Sequence, residues 1–450
     1  MQTLKHKFFK IWMIALPIVV QGIVFQIQSL TDKAFLGNID SKYISALGAS
    51  QAPFYTTMDT VFALMTGVVI LSSQAYGAKE WKQAKRYTLS GAAYGSVITL
   101  FVFLMWFSMT ENILTLFRVD PIILPYGVEY IKICSFSFLL LGLDSALQAM
   151  LQGYGNTKPI LICGLAKVVL NFVISYILIF GKLGLPALEL AGAAYGTLIA
   201  NIVSSLLLFI YCFVVKKEEY ELCEDIREHI SFNDYKTILK IGVPTALEYF
   251  LWNASNLVLM AFLNSMSYQA TAIYTLTFGI EVIVYMVFNG TGKASMSLIG
   301  QDIGAGDYHS ADDYMKLSVG INVILVSICT GIFYLYGNII LGIFTKDSTL
   351  IEKAAVFLVF SGFIMFPKSI NVIIGNGIRA YKDAKWMLYS QIFGSIFVVS
   401  FSFLLVYVFK LGIWSIYITL FCDEALRAFI NLVHYVRKHS SANKVSTVNI

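Results

Sequence analysis

The chain has 450 residues, 58% hydrophobic and 13% charged, with a formal net charge of +5 and a mean hydropathy of +0.73. That balance excludes an ordinary soluble domain, which needs far more polar surface. The basic residues are spread over many short polar segments, which excludes a nucleic-acid-binding face.

A helix that crosses a bilayer needs about 20 mostly apolar residues. Twelve such runs begin near Ile11, Ala46, Thr88, Tyr126, Pro159, Ala191, Ile238, Thr271, Leu317, Lys353, Trp386 and Ile413. They predict an all-α polytopic membrane protein, since backbone in lipid must satisfy its own hydrogen bonds. The charged start MQTLKHKFFK leads into an apolar run too long for a signal peptide. No small-residue cleavage site follows, so a retained first helix is expected.

In the first span, Gln21, Gln28 and Asp32 fall on one helical face beyond Pro17. Asp32 lies roughly 9 Å from the following loop at the helical rise. A polar stripe facing a cavity accounts for the spacing; Asp32 and Lys33 snorkelling to the interface is the alternative. Asp59 and Asp144 are further acids at membrane depth. In the fifth span Lys167 and Asn171 share a face, with Asp32 as a partner for the lysine. The polar segment 216–236 then reads as a cytoplasmic linker with some amphipathic helix.

In the seventh span Pro244 frees a backbone carbonyl. One turn later Glu248, Trp252 and Asn256 share a face, with Asn253 beside them. Glu281, Tyr285 and Asn289 repeat that spacing in the eighth span, whose inner end holds Lys293 as a snorkelling residue. Lys368 sits mid-span after Pro367 and wants a carboxylate, either Glu248 or Glu281. A structural ion pair and a coupling group are both open for it. Asp423, Glu424 and Arg427 lie within one turn of the last span, where mutual neutralisation is the expectation.

Shifted by 227 residues, the chain partly matches itself. Pro17 falls on Pro244, and Leu30, Ala34, Phe35 and Leu36 fall on Leu257, Ala261, Phe262 and Leu263. QAYGAKEWKQAKRY lies on QDIGAGDYHSADDY, and ILTLFRVD lies on ILGIFTKD. Each copy holds six spans, an even number, so the repeat is parallel, as in alternating-access transporters. The expected organisation is an amino-terminal lobe (1–215), the linker (216–237), a carboxy-terminal lobe (238–436) and a tail (437–450).

Most loop cations, such as Lys79, Lys82, Lys85, Arg86, Lys216, Lys217, Lys382 and Lys385, fall on the side that also holds both ends of the chain. The other side has Lys42, Arg118, Lys182, Lys346, Lys353 and Lys410. This bias predicts cytoplasmic termini. Cys134, Cys163, Cys212, Cys223, Cys329 and Cys422 form no CxxC pair and are expected as small apolar fillers. His6, His229, His309, His434 and His439 show no metal-ligand spacing such as HExxH. No phosphate-binding glycine loop and no nucleophile–base constellation is visible, so neither ATP-driven transport nor an intramembrane enzyme is expected.

Several pieces resemble the multidrug and toxic compound extrusion (MATE) family over nearly the whole chain. They are LPIVVQ with Asp32 and FLG, SSQAYGAKEWKQA, LQGYGNTKP, LNFVISYILIFG with LAGAAYGT, IGVPTALE, GQDIGAGD and LGIWSIYITLFCDEALRAFINLVHYVRK. The resemblance implies a V-shaped twelve-helix exporter of amphipathic, often cationic drugs in exchange for protons or sodium ions. Asp32 matches the family's first-helix aspartate and Asn171 its fifth-helix asparagine. One turn after that asparagine, where members commonly carry aspartate, this chain has Ser175. Glu248 stands where many members have glutamate or glutamine; Trp252 stands where others place that glutamate. The tenth-helix aspartate of some members has no counterpart, the charge of that span being Lys368.

Asp32, Asn171, Glu248 and Glu281 are thus the expected cation-coupling residues, with Asp32 and Glu248 leading. Gln21, Gln28, Asn253 and Asn256 are expected to line cavities. No cofactor and no resident metal is expected, only a proton or sodium ion as coupling ion. The expected partners are a drug-like small molecule and membrane lipid, for a monomer in the plasma membrane. Lipid-linked oligosaccharide flipping and a non-transporting scaffold are the alternatives.

Overall fold

The computed structural model describes residues 3–223 and 225–440, so the tail beyond residue 440 lies outside the described residues. Among them there is no strand. Twelve helical segments follow in the predicted order: α1 Leu4–Gly37, α2 Ser41–Gly77, α3 Trp81–Leu116, α4 Leu124–Ser135 with Phe138–Gly153, α5 Lys158–Phe180 and α6 Glu189–Val215. Then come α7 Phe232–Met266, α8 Tyr268–Gly304, α9 Tyr308–Phe344, α10 Ser348–Ala380, α11 Ala384–Val408 and α12 Trp414–Lys438. The two pieces of α4 meet at 52°. Between α6 and α7 lie two short turns, Lys217–Tyr220 and Ile226–His229.

All but α12 are long and apolar enough to cross a membrane, α4 as a bent pair. Asp423, Glu424 and Arg427 lower the apolarity of α12, yet all three are buried. Its other face exposes Phe421, Leu426, Phe429, Leu432 and Val436, a helical stripe suited to lipid. The charges are therefore an interior feature of a spanning helix.

Helix starts follow capping chemistry. The side chains of Asp40, Ser267, Asp307 and Asp347 accept hydrogen bonds from the first turns of α2, α8, α9 and α10. Gly181, in the left-handed region at φ +62°, ends α5 and lets the chain turn into α6.

The chain divides into two compact units, one of Pro17–Gly242 and one joining the residues up to Leu16 to those from Val243 onward. These boundaries fall inside helices, just before Pro17 of α1 and Pro244 of α7, and so differ from the loop boundaries read from the sequence. Polarity marks residues 216–236 as a linker. However, Tyr220 and Leu222 are buried in an amino-terminal core cluster, and Ile238 and Ile241 are buried as α7 begins. The start of α7 is held there by an ion pair from Arg86 to Asp234 at 2.8 Å. At the start of α1, Lys7 pairs with Asp313 at 2.8 Å.

In the amino-terminal unit α5 and α6 pack through Gly192 and Gly196, one turn apart. A Cβ on Gly192 would meet backbone of Leu178 and Ile179 at 2.7 Å, and one on Gly196 would run into Ser175 Oγ and the Ser175 backbone. Small residues at this spacing let helix backbones touch in the absence of a hydrophobic drive between membrane helices. Gly196→Val should therefore destabilise the protein by roughly 1–3 kcal/mol. Thermal unfolding in detergent checks this, and an unchanged melting temperature would show the contact to be looser than described.

Candidate functional site

The amino-terminal unit buries one carboxylate with little compensation. Asp32 is 5% exposed, and its Oδ1 has no hydrogen-bond partner among the described residues. Gln28, one turn earlier, is equally buried with an unpartnered Oε1. Asp32 lies close enough to Tyr55, Tyr130 and Cys134 to act on them electrostatically. This acid is buried, which a side chain snorkelling to the interface would not be.

Lys167 is not the partner of Asp32. It is coupled electrostatically to Asp144, which accepts a 2.6 Å hydrogen bond from Gln148, and its ammonium lies 5.7 Å from the ring centre of Phe25. Helical spacing aligned Lys167 with Asn171 but could not say which neighbouring helix supplies its acid. Asn171 is buried and donates to Ser175 and Thr197, both at 3.2 Å. Ser175 thus makes a neutral amide–hydroxyl cluster where an acid would have carried charge. Gln21 packs beside Gly164 of α5.

The carboxy-terminal unit gathers seven charged side chains around two adjoining cavities. Trp252, Lys368, Gln391, Glu424 and Arg427 line both. Pro244 lies within α7, and one turn on Glu248 projects from that helix. Its Oε1 pairs with Arg379 Nη2 of α10 at 2.5 Å, while Oε2 is buried without a partner. Glu281 of α8 pairs with Lys368 of α10, whose ammonium also lies 5.6 Å from the centre of the Tyr285 ring. Of the two acids that the sequence offered Lys368, Glu281 is therefore its partner, and Glu248 belongs to Arg379.

On α12, Arg427 serves two acids. It reaches Asp423 Oδ2 at 2.6 Å and Glu424 Oε1 at 3.2 Å, and donates to Gln391 of α11 at 2.9 Å. Asn371 of α10 donates to Glu424 Oε2 at 2.9 Å and accepts from Asn431 at 2.8 Å. Among the charged groups lining the cavities, four are acids (Glu248, Glu281, Asp423, Glu424) and three are bases (Lys368, Arg379, Arg427). With all of them ionised one negative charge is left over, and it lies where one arginine faces two carboxylates. Leaving such a charge buried and unmatched is costly. A proton or a monovalent cation removes the cost.

Asn256 lines the smaller cavity and donates to the Trp252 carbonyl of its own helix at 3.1 Å. Asn253 donates to the Tyr249 carbonyl at 3.1 Å and lines neither cavity. Asn289 lines the larger one.

Sequence reasoning missed Arg379, Asn371 and Gln391. Arg379 sits at the end of a span, where a cation normally reads as a loop anchor, and the only hint was that Glu248 needed a base. Asn371 and Gln391 carry no charge and gave no signal. The duplication offered no help either, since Glu248, Arg379 and Glu424 correspond at the 227-residue offset to Gln21, Gln152 and Thr197. The copies keep the scaffold and differ in charge.

A family model, MatE, matches residues 17–177 and again 244–404, two stretches separated by the internal offset. An uncharacterised transporter, YisQ of Bacillus subtilis, is 22% identical over 430 residues, covering 94% of this chain and 93% of that protein. The probable multidrug resistance protein NorM of Thermotoga maritima is 23% identical over 427 residues, covering 94% and 91%. Among solved structures, the outward-facing conformation of a multidrug resistance MATE family transporter superposes with a TM-score of 0.86 at 17% identity, covering 97% of each chain.

Proposed function

The chain belongs to the MatE family of membrane transporters, and from that premise we propose that it exports amphipathic, cationic small molecules in exchange for inward-moving protons or sodium ions. The observation that carries the reading is the unmatched carboxylate among the seven charges lining the cavities of the carboxy-terminal unit. An interior with one acid in excess takes up a small cation reversibly. A cationic cargo and that cation are then favoured alternately, either by competing for the acid or by preferring opposite-facing states. Asp32 offers a second buried acid in the other unit.

Sodium would use the same carboxylates with the amide oxygens of Asn371 and Gln391, as hard cations prefer oxygen ligands. The net negative interior argues against a diphosphate-bearing lipid as cargo, since anions prefer cationic sites. The bias of the loop cations supports a cytoplasmic location for both ends of the chain.

The test is transport by the purified protein in liposomes. A fluorescent cationic dye should move uphill when an opposing proton or sodium gradient is imposed, and the gradient that drives it identifies the ion. Downhill leakage that ignores both gradients would sink the antiport reading.

A further inference from the structure

Outside the membrane spans, Asp383 lies in the turn between α10 and α11. Three donors converge on its Oδ2: His434 Nε2 at 2.8 Å, His439 Nε2 at 3.1 Å and Lys438 Nζ at 2.7 Å. The histidines come from the end of α12 and the residue that follows it. Each ring is held by an aromatic neighbour. Trp386 stacks on His434 with centroids 3.8 Å apart and planes within 7°, and donates its indole N–H to Asn431 at 2.9 Å. Tyr381 stacks on His439 at 4.6 Å and 20°. The hydrogen bonds from His439, Lys438 and His434 outweigh the burial of Asp383 and hold its carboxyl well below the usual range.

We propose that Asp383, His434 and His439 form a binding site for a divalent transition-metal ion of the zinc class, which would clasp the α10–α11 turn to the end of α12. Two imidazoles and one carboxylate are the ligand set such ions take, with a fourth position left to water. The three ligand atoms lie within 4.8 Å of one another. In a tetrahedral site with bonds of about 2.0–2.2 Å, ligand atoms stand roughly 3.3–3.6 Å apart. The observed separations of 2.8 and 3.1 Å therefore need to open by only about half an ångström. The stacked rings limit what must be ordered on binding, as outer-shell partners do in metal sites. Lys438 is the group to be displaced, and its side chain is 56% exposed, so it can swing into solvent. The site does not depend on the transport reading, because none of its residues lines the cavities.

The test uses full-length, tag-free protein in detergent, stripped with chelator. Cobalt(II) is titrated by its visible absorbance and zinc(II) by equilibrium dialysis. The expected result is about one ion per chain, with a cobalt spectrum free of thiolate charge-transfer bands, since the cysteines are not ligands. His434→Gln and His439→Gln should each weaken binding at least tenfold, in keeping with loss of one ligand in three. Lys438→Ala keeps all three ligands and removes their competitor, so it should bind severalfold more tightly. The proposal is overturned by a wild type that takes up no stoichiometric ion, or by histidine variants that bind as the wild type does. Should a histidine variant fail to fold, Lys438→Ala decides: binding no tighter than wild type counts against the site.

Discussion

Glu424→Gln is expected to lower gradient-driven uphill export by about tenfold or more while the protein stays folded. One unit charge at about 4 Å is worth several kcal/mol in a partly shielded interior, more than enough for that loss. The substitution leaves three acids facing three bases around the cavities, so the excess acid that would attract a proton or sodium ion there is gone. Folding should survive because the amide oxygen of glutamine can still accept the Asn371 hydrogen bond. Arg427 also keeps Asp423, to which it donates from both Nε and Nη2. Liposome transport and cation-dependent dye binding read the effect. Accumulation at wild-type levels would show that the excess acid is not the coupling charge.

Arg379→Met should be strongly destabilising, by about 3–5 kcal/mol. It strands Glu248, which is 8% exposed and already has one oxygen without a partner. The cost comes from an uncompensated charge and not from lost packing, because methionine fills much of the same volume. Adding Glu248→Gln to Arg379→Met should therefore recover much of the loss, a non-additivity that a double-mutant cycle measures. Strict additivity in thermal unfolding would mean that Glu248 finds another partner or is reached by water.

The two substitutions separate roles that look alike in sequence. Glu248, Glu281, Asp423 and Glu424 are all acids in apolar surroundings. Only their partners distinguish an acid matched one to one from an acid that shares its base. Asp423, Glu424 and Arg427, spaced within one turn, read as self-neutralising. They do pair with one another, but two acids on one arginine leave a remainder. Spacing along a helix shows that side chains share a face and does not show what opposes them.

The metal clasp illustrates the same limit. His434 and His439 are five residues apart, a spacing seen in zinc-finger histidine pairs, but here no cysteine pair accompanies it to mark a site. Asp383 is about fifty residues earlier, and only the packing of α12 against the α10–α11 turn brings the three together.

The sequence by itself determined the class of molecule: twelve apolar helices, a duplication at constant offset, and carboxylates and cations retained at membrane depth. These follow from properties local to the chain, since apolar length, helical period and the cost of burying charge are set by neighbours in sequence. Only the tertiary structure decided which charges meet. It placed Arg379 on Glu248, Glu281 on Lys368 and Asp144 near Lys167, and it drew the unit boundaries inside helices at Pro17 and Val243. The physical reason is that an ion pair depends on separations of a few ångströms between different helices. Those separations are fixed by how helices rotate and pack against one another, which no one-dimensional pattern encodes.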